Sequence, residues 1–187
     1  TSAIPWEVSG YTLSKDKSKI AFETNESGLN KLYLMDTNSK KYSEIKGLPV
    51  GLVNNFDFTD DGKSLFFSQS TYDSSADIYR LDLATNKIER WTDSEQGEMQ
   101  KTDMSAPKLI EWKSFDGMKI TGFYYPVSKK FTGKRPVLIN IHGGPEGQSM
   151  ASSLGSGNYY TNEMGVALIY PNVRGSSGFG KTYIASD

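Results

Sequence analysis

The chain has 187 residues, of which 36% are hydrophobic and 12% aromatic, a composition typical of a packed globule rather than a disordered segment. A formal net charge of −1 gives no support to a nucleic-acid partner or a polybasic membrane surface, and no apolar run approaches the ~20 residues of a membrane-spanning helix. There is no cysteine and a single histidine, His142, so disulfides, a cysteine nucleophile and a histidine-rich metal site are excluded. No cofactor or metal is predicted. The chain begins at Thr1 without a start methionine or signal segment, so we expect a cut chain whose compartment cannot be read.

The first half of the chain contains an internal repeat. The segments LSKDKSKIAF and FTDDGKSLFF begin at Leu13 and Phe58, 45 residues apart, and LYLMD and IYRLD begin at Leu32 and Ile78, 46 apart. Four short strands in about 45 residues is the size of one propeller blade. The repeat therefore predicts two four-stranded antiparallel sheets within residues 8–93; a β-sandwich with similar strands is the alternative.

One position breaks the repeat. The second copy has Gly62 in its first turn, where the first copy has Lys17. A residue other than glycine is uncommon at positive φ, so we expect the first copy to use a different turn.

A polar segment at residues 97–107 marks a boundary, after which the pattern changes. Asp116-Gly117 between two strand-like runs predicts a two-residue hairpin turn, and PVLINI reads as a buried strand. GNYYTNEMG reads as a short helix ending before Gly165, and VALIYP as the next strand. Strand, helix and strand predict the start of a parallel α/β sheet with a helix packed on it, over residues 108–187.

The strand LINI leads directly into HGGPEGQ, which contains the first candidate site. Two adjacent glycines, Gly143 and Gly144, let the backbone approach a ligand closely with its N–H groups exposed. In α/β-hydrolases a loop of this type supplies one backbone donor of the oxyanion hole, where a side chain would fill the space of the tetrahedral oxygen. A plain strand-to-loop turn is the alternative.

HGGPEGQ followed about 25 residues later by PNVRGSSGFG resembles the opening of the hydrolase domain in the prolyl oligopeptidase family of serine peptidases, especially the acylaminoacyl peptidase and bacterial dipeptidyl or oligopeptidase branch. The resemblance implies a mixed fold: the last two blades of a β-propeller with a linker over residues 1–105, then the N-terminal part of an α/β-hydrolase domain over 106–187. It places His142, Gly143 and Gly144 on the oxyanion loop, with the N–H of Gly143 as the donor. Asn172 and Arg174 fall in the family's glycine-rich run, where the arginine shapes the site.

The same run raises a competing interpretation. From Gly175 to Thr182 it matches G-x-x-x-x-G-K-[ST], the loop that holds nucleotide phosphates. The family pattern accounts for these glycines, however, and several residues separate the loop from its strand. We therefore expect no nucleotide binding, and we expect Lys181 in or beside a helix start.

The catalytic residues of the family are absent from the sequence. No G-x-S-x-G occurs, and the nearest approach, GQSMA around Ser149, lacks a preceding strand. A Ser149–His142 dyad is a further alternative, without an evident third group. By family order the Ser-Asp-His triad would lie after Asp187, so the chain should be inactive alone.

Three functions remain open at this point. The first is a fragment of a serine peptidase acting on short peptides, the second a serine esterase with the same hydrolase core, and the third a non-catalytic, propeller-containing interaction protein. The blades favour the peptidase, because a propeller restricts access to peptide-sized substrates in the family. Substrate preference, oligomeric state and compartment are not encoded in these motifs.

Overall fold

The computed structural model describes residues 4–95, 97, 99–144 and 146–186, and in these residues twelve strands form three four-stranded sheets. The strands are β1 Glu7–Leu13, β2 Lys19–Glu26, β3 Leu29–Asp36, β4 Tyr42–Glu44, β5 Gly51–Phe58, β6 Ser64–Thr71, β7 Ser74–Asp82, β8 Ile88–Arg90, β9 Lys108–Lys113, β10 Lys119–Tyr125, β11 Val137–Ile139 and β12 Ala167–Asn172. The helical segments are short: 3-10 turns at Lys101–Asp103 and Gly155–Gly157, a π-helical turn at Tyr160–Met164, and α1 at Lys181–Ile184.

The first two sheets are blade-like meanders, as the repeat predicts. Their strand orders are β1-β2-β3-β4 and β5-β6-β7-β8, and every neighbouring pair is antiparallel. Each sheet also contains the same aromatic pair at the same place. Phe22 stacks on Tyr33 at 5.1 Å, and Phe67 stacks on Tyr79 at 5.5 Å.

The first turn of each blade is the same, which corrects the expectation for Lys17. Lys17 has φ 61° and Gly62 has φ 65°, and their N–H groups donate to Ser14 O and Thr59 O at 2.8 and 2.9 Å. In the first blade the Ser14 hydroxyl donates to Asp16 and accepts from the next strand's first N–H, and Thr59 makes the equivalent bonds in the second blade. These side-chain bonds hold the turn, so a lysine is accommodated at positive φ.

The two blades pack face to face through apolar side chains. Ala21 and Leu32 of the first sheet share one buried cluster with Val53, Leu65 and Leu81 of the second. Their first strands are also joined, because the Thr12 hydroxyl donates to Asp57 Oδ1 at 2.7 Å. Each sheet is made of four consecutive strands, which is the connectivity of propeller blades.

The third sheet has the strand order β9-β10-β12-β11. Strands β9, β10 and β12 are paired antiparallel, whereas β11 and β12 are parallel. The connection between β11 and β12 contains the helical turn Tyr160–Met164, which ends at Gly165 in the left-handed conformation with φ 62°. The predicted strand, short helix and strand are therefore confirmed.

Two local predictions in this sheet are wrong. In the β9–β10 hairpin, Gly117 N–H donates to Ser114 O, and only Gly117 of the Asp-Gly pair has positive φ, so Phe115 and Asp116 form the centre of the turn. This is a longer turn ending in a glycine bulge, because the two-residue turn would need positive φ at both residues. The run 137–139 is not buried: β11 pairs only with β12 among the described strands, and its side chains are about half exposed.

The outer strand of the second blade is held by a buried carboxylate. Asp77 is fully buried, and it accepts hydrogen bonds from Thr92 Oγ1 at 2.8 Å, Ser94 N–H at 2.8 Å and Arg90 Nη2 at 2.5 Å, and another from Ser74. Burial alone would raise the pKa of this carboxyl, but the hydrogen bonds outweigh burial and hold the pKa well below its usual range.

We predict that Asp77→Asn lowers the free energy of unfolding by roughly 3 kcal/mol at pH 7, because an NH₂ group replaces one of the two acceptor oxygens and Arg90 loses its counter-ion. The folded-state pKa lies below the unfolded value of about 3.9, so the stabilisation is present above pH ~4 and is lost as the pH falls. Urea unfolding at pH 7 and pH 3 measures both effects, and the difference between wild type and variant should shrink at pH 3.

The matched control is Asp60→Asn. Asp60 is 92% exposed and faces Lys15 at 3.2 Å, so its loss should change stability by less than about 1 kcal/mol. An Asp77→Asn variant as stable as this control would contradict the account of the network.

Candidate functional site

Two sequence motifs meet at one edge of the third sheet. The first motif is HGGPEGQ, which begins at His142, and the second motif is PNVRGSSGFG, which begins at Pro171. Since β11 and β12 are parallel neighbours, the loops that follow them lie side by side. Ser177 N–H donates to Gly147 O at 3.0 Å, and Ser149 N–H donates to Asn172 Oδ1 at 2.7 Å. The segment 146–149 is thus hydrogen-bonded to the turn 172–178.

His142 is held by a serine of the second motif. Its Nε2 lies 2.9 Å from Ser176 Oγ, and that hydroxyl lies 2.5 Å from Val173 O. A hydroxyl has one proton, so Ser176 donates to the carbonyl and accepts from the ring. The Nδ1 atom also faces an acceptor, Gly143 O, but at 3.2 Å, and the shorter contact with Ser176 places the proton of neutral His142 on Nε2. Ser176 is fully buried, so its hydroxyl orients the ring and is not exposed to a substrate.

The glycines after His142 serve different purposes. A Cβ atom on Gly143 would meet no heavy atom within 4 Å, so the space in front of this residue is open. Gly144 has φ 131°, and a Cβ there would lie 2.7 Å from Glu146 N. A Cβ on Gly147 would lie 2.9 Å from Gly143 O. Gly144 and Gly147 therefore fix the loop, and Gly143 presents open backbone.

Asn172 connects the second motif to the backbone of Ser149 by hydrogen bonds. It is fully buried at the end of β12, and its side-chain amide both accepts from Ser149 N–H and donates to Ser149 O at 3.0 Å. Its own carbonyl accepts from the Tyr183 hydroxyl at 2.6 Å. Both hydrogen-bonding groups of the amide are used, so Asn172 positions backbone.

Arg174 connects the second motif to the β9–β10 hairpin. Its guanidinium forms an ion pair with Asp116 and lies 4.9 Å from the centre of the Phe115 ring. The hydrogen bond from Arg174 lowers the pKa of the Asp116 carboxyl below its usual value. Arg174 therefore fixes the hairpin beside the turn.

The contacts of these motifs match neither a Ser149–His142 dyad nor a phosphate-binding loop. The Ser149 hydroxyl lies 3.4 Å from Pro171 O, and His142 Nε2 faces Ser176, so Ser149 and His142 are not paired. Three amides of the phosphate-loop match donate to protein carbonyls: Gly175 to Tyr183, Ser176 to Val173 and Ser177 to Gly147. Lys181 is the first residue of α1, as expected.

The first blade also reaches this surface, which the sequence did not indicate. Asn25 Nδ2 donates to Gln148 Oε1 at 2.6 Å, and Ala151 N–H donates to Gly28 O at 3.0 Å. A Cβ on Gly178 would lie 2.5 Å from Gln148 Nε2. Because Gly178 has no side chain, the second motif can pack against the hydrogen-bonded pair Asn25 and Gln148, which joins the first blade to the loop.

Among residues 4–95, 97, 99–144 and 146–186, no group of three or more histidine or acidic side chains is arranged to hold a metal ion. In the same part of the chain, every helix is too short or too polar to cross a membrane.

Comparison with known proteins shows which proteins the chain resembles. No family model matches the chain. An uncharacterized peptidase of Bacillus subtilis, YuxL, is 26% identical over 156 residues, which are 76% of this chain and 22% of the relative. The fold is found in solved structures of peptidases. A puromycin-hydrolyzing peptidase of Mycobacterium tuberculosis has a TM-score of 0.79 at 19% identity, and the match covers 96% of this chain and 29% of that one. Pyrococcus horikoshii acylaminoacyl peptidase has a TM-score of 0.70 at 22% identity, and the match covers 97% of this chain and 27% of that one.

The chain resembles, in sequence and in fold, peptidases of the prolyl oligopeptidase family. Prolyl oligopeptidase B of Galerina marginata, whose structure was solved with a 35-residue substrate, also shares the fold, with a TM-score of 0.79 at 15% identity over 97% of this chain and 26% of that one. The chain spans about a quarter of the length of these relatives.

We predict that neutral His142 carries its proton on Nε2 and that Ser176→Ala abolishes this preference. His142 is the only histidine, so its ring nitrogens give an unambiguous signal in long-range ¹⁵N–¹H correlation spectra at alkaline pH. Ser153→Ala, at a loop serine outside these contacts, is the control and should leave the tautomer unchanged. A proton on Nδ1 in the wild type would contradict the assigned network.

We also predict that the chain does not bind ATP, because the amides of Gly175, Ser176 and Ser177 are already engaged. Isothermal titration with Mg-ATP should show no heat of binding. A dissociation constant in the micromolar range would overturn this interpretation of the glycine-rich turn.

Proposed function

We propose that the chain is part of a serine peptidase that hydrolyses peptide bonds of short peptides. In this proposal residues 1–105 are the last two blades of a β-propeller with a linker, and residues 106–187 are the N-terminal part of an α/β-hydrolase domain. The nucleophile, acid and base belong to segments that follow residue 187 in the whole protein. The chain itself supplies blades and one wall of the active site.

The observation that carries the proposal is the meeting of the two loops at the carboxyl ends of β11 and β12. Ligand sites of open α/β sheets lie at such ends, outside the carboxyl edge of parallel strands. Open space in front of Gly143 suits a backbone donor to a developing oxyanion. In this role the N–H of Gly143 would contribute roughly 3–4 kcal/mol of transition-state stabilisation.

The remaining site residues act on the position of that donor. Ser176 fixes the His142 ring immediately before Gly143, and Asn172 fixes the backbone of Ser149 after the loop. Arg174 fixes the hairpin beside the turn. A preorganised donor needs such support, because a displacement of about 1 Å reduces its effect sharply.

The contact between blade and loop favours a peptidase over an esterase with the same core. Asn25 and Gly28 place the first blade directly on residues 148–151, so a propeller would cover the site. In the family a propeller restricts access to peptide-sized substrates, whereas an esterase has no need of such a cover.

We predict that the 187-residue chain hydrolyses neither aminoacyl anilides nor short esters above background, and that the whole protein hydrolyses the anilides faster than the esters. A triad-stripped site retains ~10³–10⁴-fold catalysis only with its oxyanion hole intact, and the second donor of that hole follows the nucleophile. Turnover of both proteins, compared side by side, measures this.

A serine-reactive fluorophosphonate provides the control. It should label the whole protein stoichiometrically and leave the 187-residue chain unlabelled. Labelling of the short chain at Ser149 would show that the nucleophile has been assigned to the wrong part of the protein. A whole protein that neither hydrolyses nor labels would leave the chain with a non-catalytic function.

A further inference from the structure

The helical segment 155–164, which follows the HGG loop (residues 142–144), contains an asparagine whose side-chain amide has no partner. Asn162 is 7% exposed, no donor reaches its buried Oδ1 atom, and its Nδ2 group donates to none of the described residues. The Gln69 amide, whose Oε1 also lacks a donor, at least donates from Nε2 to Pro49 O. A buried polar group without a hydrogen bond is destabilising, and in a native structure it requires an explanation.

The fold uses the neighbours of Asn162 rather than its amide. Thr161 is fully buried, its hydroxyl donates to Asn158 O at 3.1 Å, and its carbonyl accepts from Ser128 N–H at 3.0 Å. Asn158 is also buried, and its Oδ1 accepts from Ser105 N–H at 3.5 Å, which connects the helical segment to the linker 99–107. A leucine has nearly the same shape as an asparagine, so it would fill position 162 without leaving an unpaired group.

Asn162 borders a cleft of about 370 Å³ between the helical segment and the linker. Met99 and Asp103 line this cleft from the linker, and Tyr159 and Glu163 line it from the helical segment. The last side-chain torsion of an asparagine is broad and roughly two-fold, so the Asn162 amide can turn its oxygen toward the cleft.

The cleft combines negative charge with an aromatic surface. Asp103 takes part in none of the ion pairs in the described part of the chain. Glu163 faces Lys130 at 3.0 Å in an exposed pair, and such pairs are weak. None of the described lining residues is basic, and the side chains of Tyr159 and Met99 are exposed. A planar cation with several donors would match both the carboxylates and the ring.

We propose that this cleft binds the guanidinium group of an arginine side chain on a polypeptide. A guanidinium group has five N–H donors in one plane and no acceptor. It can therefore donate to the Asp103 carboxylate and to Asn162 Oδ1 while its face stacks on the Tyr159 ring. Glu163 adds a second negative charge beside it.

The arginine cleft is separate from the proposed active site. The helical turn Tyr160–Met164, which carries Asn162, ends at Gly165 and leads into the amino end of β12. The loops of the proposed active site instead follow the carboxyl ends of β11 and β12. The inference therefore goes beyond the proposed peptidase function and does not depend on it.

The test measures binding of three small probes to the whole protein by calorimetric titration: acetyl-arginine-amide, acetyl-lysine-amide and acetyl-citrulline-amide. Citrulline has nearly the shape of arginine but carries no charge. The fluorophosphonate is present throughout, so that an active serine does not consume the probes. The arginine probe should bind roughly 10-fold more tightly than the citrulline probe, because charge-assisted hydrogen bonds are the stronger ones. The lysine probe, which is not planar, should bind more weakly than the arginine probe.

Two variants assign this preference to the cleft. Asp103→Asn removes the charge, keeps the shape and should abolish the preference for arginine over citrulline. Asn162→Leu should reduce the affinity for the arginine probe several-fold without lowering the free energy of unfolding, because no hydrogen bond to the described residues is lost. A purely structural asparagine would give the reverse result. Asp60→Asn makes the same change at an exposed carboxylate of the second blade and should leave the preference intact.

Each outcome decides the question. Equal binding of the arginine and citrulline probes by the wild type, or an unchanged preference in Asp103→Asn, would overturn the proposal. Lysine bound as tightly as arginine would overturn the assignment to a guanidinium group. Asp103 is exposed, so its variant should fold and would decide the question alone if Asn162→Leu were unstable.

Discussion

The close approach of Gly28 to the C-terminal sheet is the contact on which the arrangement of the site depends. A Cβ at this position would lie 2.7 Å from Ser149 O and 2.8 Å from a ring carbon of Phe123, and the φ of 84° is one that favours glycine. The adjacent Leu29 then packs on the buried cluster of Phe123 and Tyr125. A single turn between β2 and β3 thus joins the first blade to the sheet that carries both motifs.

This contact places the segment 148–151 between the first blade and the third sheet. Asn25 and Gly28 hold it from the blade, and Asn172 holds it from the end of β12. The HGG loop leads directly into this segment. The first blade therefore contacts the chain only a few residues beyond Gly143.

The sequence predicted the elements whose determinants are local. The repeat, the two meanders and the strand, helix and strand after the boundary all follow from spacing and turn residues. The wrong predictions concern turn type and burial, which depend on contacts outside the few residues of the pattern. Lys17 takes a left-handed conformation that costs roughly 1–2 kcal/mol, because Ser14 and Asp16 supply the turn's hydrogen bonds from their side chains. The apolar run of β11 looks the same at an edge as in the middle of a sheet, so its pattern could not reveal its exposure.

The site was predictable only as far as its motifs extend. His142, Asn172 and Arg174 could be located, but their partners Ser176, Ser149 and Asp116 are brought to them by tertiary contacts that leave no pattern in one sequence. The repeat is the one place where the sequence holds such information, because it sets equivalent positions side by side. Lys17 and Gly62 occupy equivalent turns with nearly the same φ, and side-chain hydrogen bonds from Ser14 and Thr59 hold both turns. A difference between the copies therefore does not by itself predict a difference in backbone.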